Sequence, residues 1–396
     1  MNRRKLFFLL SLLLLLYMSF SAALAEEAQN LAPELKYRAP GSKNISRLYD
    51  GDYKGGFQSG KKQKKFLEIT SPKAIHQLYI RWIDLPSKWA IQVKESEGWE
   101  SILEREGNLY YSELVELPEL KHFRIVSLDK NLVNLTIYEL EAYAEGELPA
   151  HVQSWQNDER KKDIMLLSAH PDDELLFFGG LIPTYGRDPK KELQVVYMTY
   201  GIRLRIYELL SGLWHCGLKN YPSIGRFPDA YSINQDIVIA AWRKKKALRY
   251  LVDEIRRHRP EVLVTHDANG EYGHGAHKAC ATLANLAFDL AADASYKTDY
   301  EPWQVKKLYL HLGKEKQIHM DWQQPSPVFD GKTSLDVAAE AFGHHRSQQK
   351  GSASFQGQRF LFRVVPGGMF DNSAFSLHRT MVGEDVEKND FFENIE

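Results

Sequence analysis

His170–Pro171–Asp172–Asp173–Glu174 places an imidazole and three carboxyls directly behind the short apolar run Ile164–Ser168. Such a run reads as a buried strand. Polar groups crowded at its end cost free energy unless they bind something. His170 and Asp173 are three positions apart, close enough for one turn to aim both at a single ion, which leaves Asp172 over as a base. A second cluster, Tyr272–Gly273–His274–Gly275–Ala276–His277, follows another apolar run, Val262–Leu263–Val264. A hydrolytic zinc centre uses about three protein ligands and keeps one position open for water. His170, Asp173 and His277 would supply two imidazoles and one carboxylate, leaving the ion partly positive and its water easier to ionise. Ferrous oxygenases use the same ligand types; Asp172 beside the ligands favours hydrolysis. Glu174 and His266–Asp267 read as support for the ligands.

These groups need a scaffold that brings distant strand ends together. From residue 163 onward, strands alternate with helices. The strand candidates are Ile164–Ser168, Leu193–Thr199, Val262–Thr265 and Val305–Leu310. The helix candidates are Glu174–Tyr185, Arg205–Gly217, Asp236–His258, His277–Ala292 and Leu335–His345. This pattern predicts an α/β, Rossmann-like parallel sheet flanked by helices over residues 162–396. Ligands of such sheets bind at the carboxyl ends of the strands.

Residues 30–145 read differently. Leu78, Ile80 and Trp82 alternate, as do Trp89, Ile91 and Val93, and turn formers separate the runs, so an all-β sandwich is expected. Residues 146–161 are polar and aperiodic and read as a linker. At the start, Arg3, Arg4 and Lys5 precede the apolar stretch Leu6–Phe20, and Ala23–Leu24–Ala25 has the small-x-small form of a cleavage site. Residues 1–25 therefore read as a secretory signal peptide, with an uncleaved anchor as the other reading. No later segment is long and apolar enough to span a bilayer. Hydrophobic content of 43% and charged content of 26% are those of a globular chain, and a net charge of -1 leaves no footprint for nucleic acid. The two cysteines, Cys216 and Cys280, are too few for a disulfide scaffold and read as buried small hydrophobes, with one disulfide as the alternative.

With its preceding strand and the Tyr272–His277 cluster after it, Ala169–His170–Pro171–Asp172–Asp173–Glu174 resembles the signature of the PIG-L/LmbE-like de-N-acetylases, over about residues 162–390. The resemblance implies a zinc-dependent enzyme that removes acetyl groups from N-acetylglucosaminyl compounds. It implies His170, Asp173 and His277 on the metal and Asp172 as general base, against the plainer reading of Asp172 as a helix N-cap. It gives His274 the task of stabilising the tetrahedral intermediate and Tyr272 that of polarising the amide carbonyl, against a plain pocket-lining aromatic. Arg205, in Arg205–Ile206–Tyr207–Glu208, and Asp229, in Phe227–Pro228–Asp229, match positions that meet substrate hydroxyls; a helix-surface Arg–Glu pair is the other reading of the first. His345–Arg346–Ser347–Gln348 resembles a further family element. Relatives commonly carry Pro and Asp where this chain has Gly275 and Ala276, which bears on the rigidity of the loop.

The front region resembles a discoidin-like (coagulation-factor C-type) domain, through Leu48–Tyr49–Asp50–Gly51–Asp52, Ile80–Arg81–Trp82, Gly98–Trp99–Glu100 and Tyr138–Glu139–Leu140–Glu141–Ala142–Tyr143. That family is a jelly-roll β-sandwich that binds carbohydrate or other surface ligands. The resemblance implies a Ca2+ ion near an early Asp-Gly-Asp loop, so Asp50 and Asp52 are candidate ligands, with plain turn residues as the other reading. The expectation is a secreted, two-domain, zinc-dependent deacetylase of N-acetylhexosamine-containing glycans. An amidase for another N-acyl group and a non-catalytic glycan-binding adhesion protein are the alternatives.

Overall fold

The computed structural model describes residues 27–53, 55–107, 110–157, 159–386 and 389–395, so the expected leader at 1–25 lies outside the described residues. Two compact units are present, one ending at Val152, the other formed by Gln153–Glu396 with Tyr110–Ser112. Among the described residues, no helix is long and apolar enough to cross a membrane.

The front unit is all-β. Its strands are β1 (Lys36–Arg38), β2 (Phe57–Gln58), β3 (Phe66–Trp82), β4 (Lys88–Glu95), β5 (Gly98–Glu106), β6 (Ser112–Ser127) and β7 (Thr136–Tyr143). They join along one path, β2-β7-β3-β6-β4-β5, with β1 also on β3. The long β3 pairs with β1 through its first part and with β7 through its last part, and it also neighbours β6. Leu78, Ile80 and Trp82 enter the core as their alternation predicts, and the Trp82 and Trp89 rings pack 5.2 Å apart. Truncating either would cost about 3–5 kcal/mol. Tyr79 is buried too, because Ala28, Tyr143 and Val152 cover the opposite face. The polar stretch 146–161 thus carries two apolar anchors: Val152 belongs to the front unit, while Trp155 is buried in the core of the second.

The second unit is built on a seven-stranded sheet. Its strands are β8 (Ile164–Ser168), β9 (Leu193–Tyr197), β10 (Ser223–Ile224), β11 (Val262–Thr265), β12 (Lys307–His311), β13 (Gln317–His319) and β16 (Ala374–Thr380), while β14 (Ser352–Phe355) and β15 (Gln358–Leu361) form a separate hairpin. The sheet order is β10-β9-β8-β11-β12-β16-β13. The ladders from β10 to β12 are parallel, but β16 pairs antiparallel with both β12 and β13, so the sheet is mixed rather than parallel throughout. From the central β8 the chain winds outward to β9 and β10, then returns to start β11 on the other side. The order therefore reverses between β8 and β11, the kind of switch point at which open α/β sheets place their ligands. β8 is buried on both faces: Ile164 and Leu166 point into one core, Met165 and Leu167 into the other.

The helices are α1 (Asp173–Leu176), α2 (Leu181–Gly186), α3 (Leu204–His215), α4 (Gln235–Ala241), α5 (Lys244–His258), α6 (Gly275–Ala292) and α7 (Ser334–Phe342). Two expected helices are each split. Glu174–Tyr185 breaks where Gly179 takes φ +51 and where a Cβ on Gly180 would lie 2.8 Å from Ser334. Asp236–His258 breaks at Arg243, whose φ is 56°. Cys216 and Cys280 are buried, unbonded and in different cores, on opposite faces of the sheet.

Candidate metal and catalytic site

The two clusters meet at the switch point. After β8, the Ser168 hydroxyl donates to the His170 carbonyl at 2.9 Å, and the His170 N–H donates to Asp173 Oδ2 at 2.9 Å. The Ala169 N–H donates to His266 Nε2 at 2.9 Å, which ties the end of β8 to the residue following β11.

Asp173 is the hub. Its Oδ2 lies 2.9 Å from His170 Nδ1 and 3.2 Å from His277 Nε2, and all three residues are buried. Burial alone would push the Asp173 carboxyl up, but His277 and His170 hold it well below the usual carboxylate range. His170, His274 and His277 place ring nitrogens within 4.8 Å of one another, and so, with a carboxylate oxygen, do Asp173, His266 and His277. Hydrogen bonding sorts these donors. His266 uses both nitrogens, accepting from Ala169 at Nε2 and donating to Glu271 at Nδ1, 2.9 Å away. His274 accepts the Ala276 N–H at Nδ1, at 3.2 Å. His277 faces carboxylates at both nitrogens, Asp173 at Nε2 and Glu271 at Nδ1, and among the described residues no backbone group occupies either. His277 Nε2 beside the ionised Asp173 carboxylate, with the His170 imidazole on the same oxygen, fits one divalent ion on His170, Asp173 and His277.

Behind His277 lies a group that motif reading missed. Glu271 is fully buried, with His277 Nδ1 2.7 Å from its Oε2. His266 Nδ1 meets the same oxygen at 2.9 Å, and His311 Nδ1 meets Oε1 at 2.6 Å. The other His311 nitrogen, Nε2, faces the Asp371 carbonyl at 2.9 Å. Burial opposes the charge on Glu271, yet His266 and His277 hold its carboxyl well below the ordinary range. A carboxylate on the far nitrogen of a ligating histidine fixes the ring and aims the near nitrogen at the metal.

Asp172 occupies the N-cap position of α1 but caps nothing. Its φ of 105° is costly for a side chain other than glycine, and the side chain turns to Arg205, whose Nη2 donates to Oδ1 at 2.7 Å. Arg205 also donates to the Pro171 carbonyl. Burial, only partly offset by Arg205, raises the Asp172 carboxyl to about 7, within reach of a general base. Glu174 steadies the turn: its Oε2 accepts the Asp172 N–H at 2.7 Å, and its Oε1 lies 3.0 Å from His345 Nε2. Glu208 is not the surface partner of Arg205; it accepts from the backbone and hydroxyl of Ser347, at 2.7 and 2.6 Å.

The remaining candidates surround this centre. Asp229, partly exposed, places Oδ1 3.4 Å from His170 Nε2. Burial, with His277 and His170 nearby, lowers His274 to about 3, so it is neutral; with Nδ1 accepting, its hydrogen sits on Nε2. The Tyr272 ring packs 5.4 Å from His274 and from His277. Tyr231, exposed and not singled out by any motif, packs 5.3 Å from His274. Gly275 answers the question of loop rigidity. Its N–H donates to the Ser232 carbonyl at 2.6 Å, a bond proline cannot make, and a Cβ there would lie 2.4 Å from that oxygen.

In the front unit, Asp50 Oδ1 accepts the Asp52 N–H at 3.0 Å, and the Gly51 N–H donates to Glu139 at 2.8 Å. That is an Asx turn. Among the described residues no cluster of potential metal donors forms there, so the expected Ca2+ site is not supported.

Histidines and carboxylates gathered at the switch point of an α/β sheet define a class, that of metal-site hydrolases. Residues 165–288 match the model of the family described as PIG-L, GlcNAc-PI de-N-acetylase, and the chain belongs to this family. It is 30% identical over 240 residues to a 1D-myo-inositol 2-acetamido-2-deoxy-alpha-D-glucopyranoside deacetylase of Rhodococcus erythropolis, covering 47% of this chain and 81% of that one. It is also 30% identical over 194 residues to a deacetylase of the same description from Frankia casuarinae, covering 40% of this chain and 63% of the relative's length. These homologues are N-acetylglucosaminyl deacetylases, hydrolases of an amide C–N bond. Among solved structures, the family 32 CBM of C. perfringens NanJ, in complex with galactose, aligns with 30% of this chain and 99% of its own, at 15% identity and a TM-score of 0.24.

Proposed function

We propose that this chain is a zinc-dependent de-N-acetylase of N-acetylglucosaminyl compounds. The observation that carries the reading is the buried Asp173 carboxylate between His170 and His277, with the Asp172 carboxylate on the adjoining strained turn. Two imidazoles and one carboxylate suit zinc. When bound, the ion would polarise the acetamide carbonyl and make a water easier to ionise. Asp172 takes a proton from the attacking water as its oxygen adds to the carbonyl carbon. His274 Nε2–H donates to the oxygen that becomes negative. The proton held by Asp172 passes to the nitrogen as the C–N bond breaks, leaving acetate and a free amine. Asp229, Arg205 and the exposed Tyr231 border the side from which a hydroxyl-rich sugar would approach.

The same reading takes the enzyme to act outside the cytoplasm, from the leader-like residues 1–25, and gives the all-β front unit the task of holding a glycan. The test is acetate release from a panel of N-acetylglucosaminyl glycosides by the zinc-supplemented chain, beside Asp172→Asn. The reading expects release that falls ~10²–10⁴-fold in the variant. A folded, zinc-holding chain that releases no acetate from any member would point to a different N-acyl amide. A chain that neither binds zinc nor releases acetate would favour a binding protein.

A further inference from the structure

Beside the metal ligands lies a hollow that a methyl group would leave mostly empty. It holds about 120 Å³, is open to solvent on one side, and is walled by Phe177, Phe360, Phe362, Met369 and Phe370. Arg363 is its one charged lining residue. Leu361, Val365 and Met369 stand 49%, 49% and 44% exposed at its lip, an unusual concentration of apolar surface. Much of this wall comes from the β14–β15 hairpin and the segment after it, beyond residues 165–288 that match the family model.

Two aromatic rings link the wall of the hollow to the metal ligands. Phe177 lines it, and its ring lies 5.5 Å from His277. Tyr272 bridges the same gap, 5.7 Å from Phe360 and 5.4 Å from His277. The centre therefore has two unlike sides. Arg205 and Asp229 make one polar, whereas Phe177, Tyr272 and the hollow make the other apolar. An amide over the metal ligands also has two unlike substituents, the sugar on nitrogen and the acyl chain on the carbonyl carbon. Matching each substituent to its own side sends the sugar toward Asp229 and the acyl chain past Tyr272.

We propose that the hollow between Phe177 and the β14–β15 hairpin is an acyl subsite, and that the preferred substrates carry an N-acyl chain longer than acetyl on the glucosamine nitrogen. This rests on the amide-hydrolase reading above. The reaction is unchanged in form: water adds, the C–N bond breaks, and a fatty carboxylate leaves in place of acetate.

The experiment compares methyl glucosaminides bearing N-acetyl, N-butyryl, N-hexanoyl and N-octanoyl groups, with octyl N-acetylglucosaminide as a second arm, by release of free amine from the zinc-loaded full chain. The inference expects kcat/KM to rise ~3-fold or more per added methylene until the hollow is filled. It expects Phe360→Ala and Phe370→Ala to flatten that rise, and Phe360→Leu, which keeps apolar bulk, to preserve most of it. Cleavage of the acetyl compound with no gain from longer chains overturns the subsite and leaves the deacetylase reading standing. A gain confined to the octyl glycoside assigns the hollow to the aglycone and overturns the acyl assignment. Failure on every compound overturns both.

Discussion

Arg205 and Asp172 are joined by a 2.7 Å hydrogen bond from Nη2 to Oδ1, and through it the first turn of α3 grips the strained loop after β8. The bond does more than hold a rotamer. Burial drives the Asp172 carboxyl up to about 7, the neighbouring guanidinium pulls against that rise, and Asp173 adds to it.

Removing the guanidinium should therefore make Asp172 harder to ionise. A general base works in its ionised form, so the acidic limb of kcat/KM lies above the ordinary carboxylate range and moves to higher pH in Arg205→Met. Activity should fall most at neutral pH and partly recover in alkali, while Arg205→Lys, which keeps the charge, should shift the limb less. A limb that stays in place in Arg205→Met would mean that Arg205 does not tune the base.

Glu271 stands 2.7 Å behind His277 and touches no part of the open site. Glu271→Gln keeps the shape but weakens the acceptor that aims the ring. Zinc affinity, measured by competition with a chelator, should drop ~10–100-fold, while activity at saturating zinc should recover much of its value. Unchanged affinity would show that Glu271 serves the fold alone.

Much of this centre was legible in the chain, for a physical reason. β8 is short, apolar up to its closing Ser168 and buried on both faces, so its end could be located, and the three-residue spacings His170–Asp173 and His274–His277 are local geometry. The Glu271 cluster could not be read that way. Its partners His266, His277 and His311 come from two loop–helix segments and the end of β12, joined only by folding. The antiparallel β16 was missed because Ala374–Thr380 gains its identity by pairing with β12 and β13. The helix break at Gly180 depends on Ser334 and Trp322, more than a hundred residues away.

The front unit carries its own pH dependence. Burial raises the Glu113 carboxyl to about 7, although Arg105 lies 3.2 Å away. An unfolded glutamate ionises near ~4.3, so between that pH and about 7 the unfolded chain binds fewer protons, and stability falls as pH rises. Below both values the group is protonated in either state and contributes no such penalty. Glu113→Gln should therefore stabilise the front unit at pH 8 by ~1–3 kcal/mol and change little near pH 4. Calorimetry of the intact chain at the two pH values reads the difference, and an equal effect at both would refute the assignment to ionisation.

The most direct measurement is a zinc titration of the chelator-stripped chain, followed by acetate release from an N-acetylglucosaminide. The account predicts no release without metal, full release at one zinc per chain, and no recovery in His277→Ala. Undiminished release by the metal-free chain would contradict it.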